Sequence, residues 1–461
     1  MIRLTESVMK LPGAATVRRL CLLLAVVLLS AGCTLLGPPP QPVLPTPSSP
    51  EGLSEAIDYE EIEAGQAPIT GVAPAMDPDI LALMDAVSKQ NLYAYVQTLE
   101  NFGTRHPLST TARDDYGVGA ARRWIYQEFE RVGDGRLDLA YHDFPFLYEG
   151  TTAPQQNVVA TLPGVDSHPG VILLIAHYDS AARDVGDPEM RAPGADNNAS
   201  GVALLLEMAR LLSAREWRQT IVFVALAAHE QGNFGAKNYA RDIMLDGWIL
   251  DAVINNDTVG GHGGIAQEVR LFAAGPEHSL HSQLARYFDF IGELYTPLFP
   301  VNVIGTVDRP GRFGDQQAFV EVGVPAVRLT ESEEDADAQN TIEDTADTLD
   351  YDYLAKVVRL NIAVVATMAA APPPPSAPAV APMAEEGNFL LSWTPDRRAA
   401  GYAVIFRRLG SDETILRFIS AEEAGNVAIT GMDATTSYGI SVAALDKRGR
   451  VSRFSEEVLT P

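Results

Sequence analysis

Four polar residues stand at the ends of two apolar runs near the middle of this chain. His177 and Asp179 lie at the end of VILLIAHYDS, and His229 and Glu230 follow the second run, TIVFVALAA. Apolar strands that end in polar side chains are typical of open α/β sheets, which keep their sites at the carboxyl ends of the strands. Imidazole and carboxylate groups can bind metal ions or transfer protons. The pattern therefore indicates a functional site at one edge of a sheet.

The stretch between the two runs contains the elements that would position these residues. PGADNNASG, from Pro193 to Gly201, is a glycine-rich turn, and an apolar helical stretch from Val202 to Leu212 follows it. The second apolar run begins at Thr220. This succession of strand, turn, helix and strand predicts an α/β fold with a mixed, mostly parallel sheet flanked by helices.

Six short segments in a fixed order resemble one known family. They are HYDS (His177 to Ser180), GADNNASG (Gly194 to Gly201), HEQGNFGA (His229 to Ala236), NNDTVG (Asn255 to Gly260), GDQQAF (Gly314 to Phe319) and NTIEDT (Asn340 to Thr345). Their types and order are similar to those of metallopeptidase family 28, the di-zinc exopeptidases of the aminopeptidase Y and leucyl aminopeptidase type. The resemblance runs from about Leu81 to Ala370. It implies a zinc exopeptidase-like fold and removal of N-terminal residues from peptides.

Three of the zinc ligands that the resemblance implies are present here. His177, Glu230 and Asp257 fall on ligand positions. Asn197 falls on the position of the aspartate that bridges the two zinc ions, and Asp196 lies one residue too early to replace it. The last ligand, a histidine in the family, falls on Asn340.

The remaining differences concern the catalytic groups around the metal. His229 falls on the position of the family's general base, a glutamate, and histidine could act as a base or become a ligand. The segment with Asp315 has Gln316 in place of a histidine. We interpret Asp179 as a residue that orients the His177 ring.

These substitutions predict a degenerate site. An amide oxygen neither binds zinc well nor offsets the repulsion between two cations about 3.5 to 4 Å apart. We therefore expect zinc at one site at most, near His177 and Asp257, or none. The chain is predicted to be weakly active or non-catalytic and to bind peptides or a partner protein. The alternatives are an active aminopeptidase and a single-metal hydrolase with His229 as base.

The N-terminus is typical of a targeting segment. Arg18 and Arg19 precede LCLLLAVVLLSAG, an apolar run that is too short to span a bilayer comfortably and that ends at Cys33. SAGC resembles the cleavage box of bacterial lipoproteins, which implies a lipid on Cys33; an uncleaved membrane anchor is the alternative. Both place the chain outside the cytoplasm, at the cell surface or in the periplasm of a bacterium. A processed chain would keep one cysteine and form no internal disulfide.

Charge narrows the set of partners. The formal net charge is −26, and removal of the first 32 residues, which carry +3, would make it −29. An acidic surface repels nucleic acid. The expected partners are peptide or protein N-termini and a membrane reached through the lipid anchor. Many acids lie in one run from Glu331 to Asp352, which we interpret as a solvated loop.

Composition predicts two globular units and their connections. The predicted parts are a signal peptide with its lipid-anchor cysteine (1–33), an extended or disordered spacer (34–76), a zinc-exopeptidase-like domain (77–370), a proline-rich linker (371–378) and a β-sandwich (379–461). The last part has five short alternating runs that begin near residues 389, 402, 413, 426 and 438. Trp393, Tyr402 and Tyr438 make it resemble an immunoglobulin-like fibronectin type III domain, with Tyr438 as its tyrosine corner.

Overall fold

The computed structural model describes residues 56–63, 72–166, 170–411 and 413–461. The predicted signal peptide, Cys33 and most of the spacer lie outside the described residues. The strands are β1 Ile57–Asp58, β2 Asp138–Tyr148, β3 Thr151–Leu162, β4 Val171–His177, β5 Thr220–Leu226, β6 Leu250–Asn256, β7 Val269–Ala273, β8 Val301–Ile304, β9 Ala326–Glu331, β10 Ser376–Pro382, β11 Phe389–Thr394, β12 Gly401–Arg408, β13 Thr414–Ser420, β14 Asn426–Thr430, β15 Tyr438–Leu445 and β16 Val458–Leu459. The helices are α1 Tyr59–Glu63, α2 Pro78–Asp85, α3 Lys89–Asn101, α4 Gly117–Gly133, α5 Gly201–Leu212, α6 Phe234–Leu245, α7 Leu280–Tyr295, α8 Gln316–Glu321 and α9 Tyr351–Ala370.

A single eight-stranded sheet organises the larger part of the molecule. Its strand order is β2-β3-β5-β4-β6-β9-β7-β8. The central strands β5, β4, β6 and β9 pair in parallel, as do β7 and β8. Strand β3 pairs antiparallel with β2 and with β5, and β7 pairs antiparallel with β9. The predicted mixed, mostly parallel sheet is therefore confirmed.

Helices cover both faces of this sheet. Alternate residues of β4 enter two different cores, with Ile172 and Leu174 packed on one side and Leu173 and Ile175 on the other. A strand buried on both faces must be apolar throughout, which explains the continuous apolar run in the sequence. Polar groups are consequently confined to the strand ends.

Helix α9 is central to one of these cores. Among the described residues it is the one helix long and apolar enough to cross a membrane, and 83% of its apolar window is buried inside the fold. It packs against α2, α3, α5 and α7. Its hydropathy is therefore that of a core helix.

Residues 376–459, together with β1, form two four-stranded sheets. Strands β11 to β15 occupy the five runs predicted from alternation, and the sheet orders are β1-β14-β11-β10 and β13-β12-β15-β16. The predicted tyrosine corner is not present among the described residues: the Tyr438 hydroxyl has no hydrogen-bond partner there. The Tyr438 ring instead packs edge-on against Tyr59, at a centroid distance of 5.1 Å. The likeness to fibronectin type III stays a prediction.

The segment that contains Tyr59 does not have the structure expected of the predicted spacer. Residues 56–63 fall in the predicted spacer, yet β1 pairs in parallel with β14, and Ile57, Tyr59 and Ile62 are buried in the core of the C-terminal unit. The burial of these three apolar side chains and the pairing with β14 together oppose the entropy that the segment loses on ordering. We call residues 56–63 the N-terminal strap.

Removal of the Tyr59 ring should destabilise the protein substantially. Tyr59 is 2% exposed and contacts Phe406 and Tyr438 edge-on. We expect Tyr59→Ala to lower the free energy of unfolding by about 3 to 5 kcal/mol, the usual range for truncation of a buried aromatic residue. Urea unfolding followed by tryptophan fluorescence measures it. Glu61→Ala, an exposed position on the same short helix, is the control and should change stability by less than about 0.5 kcal/mol. Equal effects of the two substitutions would contradict the burial of the strap.

The C-terminal unit also packs on the larger one. Tyr287 of α7 donates a hydrogen bond to the Val451 carbonyl at 2.9 Å and meets the Phe454 ring edge-on. Arg407, 2% exposed, pairs with Glu457 at 2.8 Å and also contacts Glu277. The chain crosses between the units in residues 371–375, because the last residues of the predicted linker already belong to β10.

Candidate metal centre

Neighbouring strands bring the motifs to one edge of the sheet. His177 ends β4, Asp257 follows β6, and His229 follows β5, so three adjacent strands supply one side chain each. The glycine-rich turn packs beside them. A side chain at Gly201 would place its Cβ 2.4 Å from the Asn256 carbonyl oxygen, so this approach requires glycine.

His177 is fully buried and held from two directions. Its Nδ1 lies 3.1 Å from the Asp179 carbonyl oxygen and 3.7 Å from the Asp179 carboxylate. Its Nε2 lies 3.5 Å from Asp257 Oδ1 and has no hydrogen-bond partner among the described residues. The Nδ1 contact directs Nε2 towards Asp257.

His229 joins this pair. Its ring stacks on that of His177, with centroids 3.9 Å apart and planes 9° apart, and its Nδ1 lies 3.1 Å from Asp315 Oδ2. One nitrogen or oxygen atom from each of His177, His229 and Asp257 lies within 4.8 Å of the others. In the described part of the chain this is the group of histidines and acids that could hold a metal ion.

Electrostatics agree with a cation at this point. Burial lowers the pKa of His177, but the neighbouring carboxylates of Asp179 and Asp257 outweigh it and raise the pKa well above its usual range. Burial would raise the pKa of Asp257, yet Arg328 and the histidines hold it well below the ordinary value. Two imidazoles and one ionised carboxylate fit one zinc ion, and one of these imidazoles, that of His177, has a buried Nε2 without a hydrogen-bond partner among the described residues.

The second predicted zinc position has a different composition. Asn197 Nδ2 donates to Glu230 Oε1 at 2.6 Å and to Asn340 Oδ1 at 2.9 Å. Asn340 Nδ2 donates to Glu230 Oε2 at 3.3 Å. Glu230, assigned to the metal by sequence, thus lies between two amides and outside the group formed by His177, His229 and Asp257. These three residues do not fit a second zinc ion, because two of the donors are neutral amides.

Asp179 and Gln316 hold neighbouring residues of the site in position through hydrogen bonds. The two Asp179 carboxylate oxygens accept hydrogen bonds from the backbone N–H groups of His229 and Glu230, each at 3.1 Å. Asp179 therefore fixes both the His177 ring and the start of the HEQG segment. Gln316 donates to the Val307 carbonyl at 2.8 Å and accepts from Asn255, so its role is to hold the loop that carries Asp315.

Arg328 is a functional candidate that sequence reasoning missed. The side chain is 2% exposed; its Nε donates to the Asp257 carbonyl at 2.6 Å, and Nη2 lies 3.4 Å from Asp257 Oδ2. Its Nη1 also donates to both Asp308 oxygens, at 2.7 and 2.8 Å. An arginine inside the apolar segment GVPAVRLTE was the available signal, because a buried charge requires a partner.

The acidic run from Glu331 to Asp352 is only in part the solvated loop that we expected. Glu331 and Asp344 are 1% and 3% exposed. Asp344 accepts the backbone N–H groups of Asp196 and Asn197, at 2.7 and 3.1 Å, and Glu331 accepts that of Gly261 at 2.6 Å. These acids are buried because they satisfy the backbone of the turns around the site.

The buried carboxyl group of Asp196 predicts that the stability of the protein depends on pH. Burial, and then the negative charge of Asp344, raise the pKa of Asp196 to about 7, whereas the unfolded chain releases this proton near pH 4. The folded protein therefore holds an extra proton between these values, and stability is lost as pH rises from about 4 to 7, by up to about 1.4 kcal/mol per pH unit.

Asp196→Asn should flatten this dependence while it keeps an acceptor for the Gly260 N–H, which lies 2.8 Å from Asp196 Oδ1. Urea unfolding at pH 5, 6 and 7 measures the slope. Glu333→Gln, an exposed acid of the same run, should leave the slope unchanged. A slope that is the same in Asp196→Asn and in the unmodified chain would contradict the assignment.

Comparisons with known proteins show which family this chain is similar to. A model of Peptidase family M28 matches residues 157–365. A protein of Leptosphaeria maculans described as a "Probable zinc metalloprotease" is 31% identical over 381 residues, which cover 73% of this chain and 87% of that protein. A protein of Pyricularia oryzae with the same description is 32% identical over 412 residues, covering 79% of this chain and 78% of that protein.

Solved structures share the fold. The LapA aminopeptidase of Legionella pneumophila superposes with a TM-score of 0.54 at 19% identity, covering 67% of this chain and 79% of that one. An aminopeptidase from Aneurinibacillus sp. strain AM-1 gives 0.51 at 15% identity, covering 63% and 96%. The motifs, their convergence at the sheet edge and these relatives together establish that the chain belongs to peptidase family M28, a family of zinc metallopeptidases.

Proposed function

We propose that this chain is an extracytoplasmic, single-zinc member of its family that binds peptide or protein N-termini and turns them over slowly or not at all. One observation carries the proposal: His177, His229 and Asp257 converge within 4.8 Å, whereas the neutral residues Asn197 and Asn340 occupy two of the three remaining ligand positions. Zinc held by the first group would act as a Lewis acid on a bound carbonyl group.

We call His177, His229 and Asp257 the metal group. The proposal of low turnover depends on the acids around it. Both Asp179 oxygens are bonded to backbone N–H groups, and Asp315 pairs with His229. The Glu230 carboxylate is held by two amides. None of these carboxylates occupies the position of the family's general base. That position is occupied by His229, which is itself one of the ligands that we propose.

A second candidate is a single-metal hydrolase with His229 as general base. The observation that favours it is the 3.1 Å contact between His229 Nδ1 and Asp315 Oδ2. Such a contact orients the ring and stabilises its protonated form, as a base requires. In this case His177 and Asp257 alone would remain as protein ligands.

Location and attachment to a membrane belong to the proposal as well. The basic residues before the apolar run and SAGC at Ser30 to Cys33 support a lipid-anchored, extracytoplasmic protein. Mass spectrometry of the purified chain tests it, with an acylated Cys33 as the N-terminal residue as the expected result. An intact N-terminus beginning at Met1 would contradict processing.

Metal content and turnover on one sample test the proposed activity. The full chain should hold up to one equivalent of zinc by elemental analysis, and His177→Ala should hold none. Hydrolysis of leucine 4-nitroanilide should be slow or absent. Two equivalents with rapid turnover would overturn the proposal. Robust turnover with one equivalent, abolished by His229→Ala while zinc remains bound, would favour the second candidate.

A further inference from the structure

The loop from Ala227 to Gly235 carries His229 and has a strained backbone. It runs from the end of β5 into the first turn of α6, and two of its residues, Ala228 and Asn233, have positive φ angles of 57° and 59°. This left-handed conformation is unfavourable for a residue with a side chain and persists where surrounding contacts hold it. The place of His229 in the metal group therefore depends on contacts from outside the loop.

Asn157 of β3 bonds to both ends of this loop. Its Oδ1 accepts a hydrogen bond from the Ala227 N–H at 2.9 Å, and its Nδ2 donates to the Gly235 carbonyl at 3.0 Å. Asn157 is fully buried, and a side chain at Gly235 would place its Cβ 2.5 Å from Asn157 Oδ1, so the approach is close. Because a backbone N–H group donates and a carbonyl oxygen accepts, these two bonds fix the orientation of the Asn157 amide.

The fixed amide in turn determines the tautomer of His142 on β2. Asn157 Nδ2 lies 3.1 Å from His142 Nδ1, and since Nδ2 is a donor, Nδ1 has to accept and carries no hydrogen. The hydrogen of the neutral ring is therefore on Nε2, which donates to Asp242 Oδ2 at 3.0 Å. Neutral His142 thus satisfies both of its hydrogen-bond partners.

Protonation of His142 would break this arrangement. A second ring hydrogen, on Nδ1, would point at the Nδ2 hydrogens of Asn157, and two donors form no hydrogen bond. A half-turn of the Asn157 amide would give Nδ1 an acceptor, but it would also set an N–H group against the Ala227 N–H and an oxygen against the Gly235 carbonyl. Either outcome weakens the contacts that hold the loop.

The charged and titratable groups that face His142 lie on α6. Asp242 also pairs with Arg241 at 2.7 Å. The Tyr239 ring meets that of His142 edge-on, with centroids 5.1 Å apart. Asp242 accepts from Nε2 whether the ring is neutral or charged, and β3 presents only the neutral Asn157 among the hydrogen bonds of the described ring. The effect of protonation is therefore confined to the Nδ1 side, where the loop is held.

We propose that His142 is a positioning residue that holds the loop of the metal group, through Asn157, only while its ring is neutral. The inference rests on the proposed zinc binding and adds a dependence on pH to it. Histidine gains a proton in the range from about pH 8 to 5. Acidification over this range loosens the loop and moves His229, so the metal group binds zinc less tightly.

Hydrogen–deuterium exchange of the zinc-free full chain tests the proposal without any metal. Protection of the N–H groups in residues 227–235, corrected for the intrinsic effect of pH on exchange, should fall at least about threefold from about pH 7.5 to 5.5. One linked proton changes an equilibrium by up to about tenfold per pH unit. His142→Asn should remove this fall and keep the protection seen at the higher pH, because asparagine offers an acceptor in place of Nδ1 and does not titrate.

His281→Asn is the matched control. Its Nδ1 also accepts a backbone N–H, that of Ala326 at 3.1 Å, but it has no contact with the loop among its described hydrogen bonds, so the fall in protection should persist. Zinc affinity, measured by competition with a chelator, gives a second readout. It should decline more steeply on acidification in the unmodified chain than in His142→Asn, since both keep the histidines of the metal group.

The outcomes separate this proposal from the proposed function. Equal pH dependence of protection in the unmodified chain and in His142→Asn would overturn the role of His142. Low protection of that variant at both pH values would leave the ring with a packing role alone and would overturn it as well. A pH-dependent loop, made independent of pH by His142→Asn, in a chain that holds no zinc at all would support this role and contradict the single-zinc proposal.

Discussion

Asn197→Asp, His229→Glu and Asn340→His together are expected to raise zinc content from at most one equivalent to two. The aspartate restores a bridging carboxylate, the histidine restores a terminal ligand, and the glutamate restores a base beside the metal. Turnover of leucine 4-nitroanilide should rise by about 10² to 10⁴-fold, the usual contribution of a positioned general base. Elemental analysis and initial rates on the same sample measure both effects.

The double variant Asn197→Asp with Asn340→His separates metal binding from catalysis. It restores ligands at the second position and leaves His229 in place, so zinc content should rise without a matching gain in turnover. Rapid turnover by this double variant would show that the glutamate is dispensable. Failure of the triple variant to bind a second ion would show that Asn197, Glu230 and Asn340 do not occupy the second metal position.

Arg328→Met is expected to lower the free energy of unfolding of the zinc-free protein by about 3 to 5 kcal/mol. The arginine is 2% exposed and lies against Asp257 and Asp308, which are also buried, so its removal leaves Asp257 without an arginine partner and Asp308 with Arg309 alone. Urea unfolding in the presence of a chelator measures the loss. Zinc should then recover more stability in the variant than in the unmodified chain, because the dication neutralises Asp257.

Arg270→Met provides the matched control. Arg270 pairs with Glu334 at 2.9 Å in the same charged cluster, but its side chain is 20% exposed and no contact with Asp257 is present among its hydrogen bonds and ion pairs. Its loss should cost about 1 kcal/mol or less. Similar losses for the two arginines would contradict the claim that Arg328 stabilises the buried acids of the site.

Motif order and hydropathy together predicted most of the fold. The continuous apolar run before His177 correctly indicated a strand buried on both faces, and alternation located β11 to β15. The strap was missed because its composition is that of a spacer. Burial of Tyr59 depends on a cavity formed by residues about 370 positions later, and no local pattern encodes such a pairing.

The site shows a similar division. Family motifs identified His177, Asn197 and Asp257, because their spacing follows directly from strand ends and one turn. The inclusion of His229 in the metal group, in place of Glu230, depends on the orientation of two adjacent side chains, which spacing does not specify. Arg328 and Asp344 were not predicted as site residues, because their partners lie in other motifs. The sequence alone does not show whether a charged residue is buried.

The N-terminal strap also constrains the order of folding. Ile57 pairs with Ile429, so a contact between the first described segment and the last unit must wait for the whole chain. Contacts of such long sequence separation form late, because loop closure precedes any gain from them. Until then the C-terminal sheet lacks its edge strand, and Phe406 and Tyr438 lack the ring that covers them. We therefore expect the strap to be the last segment that folds onto the C-terminal unit. In a chain truncated before β14, the strap would have no strand to pair with.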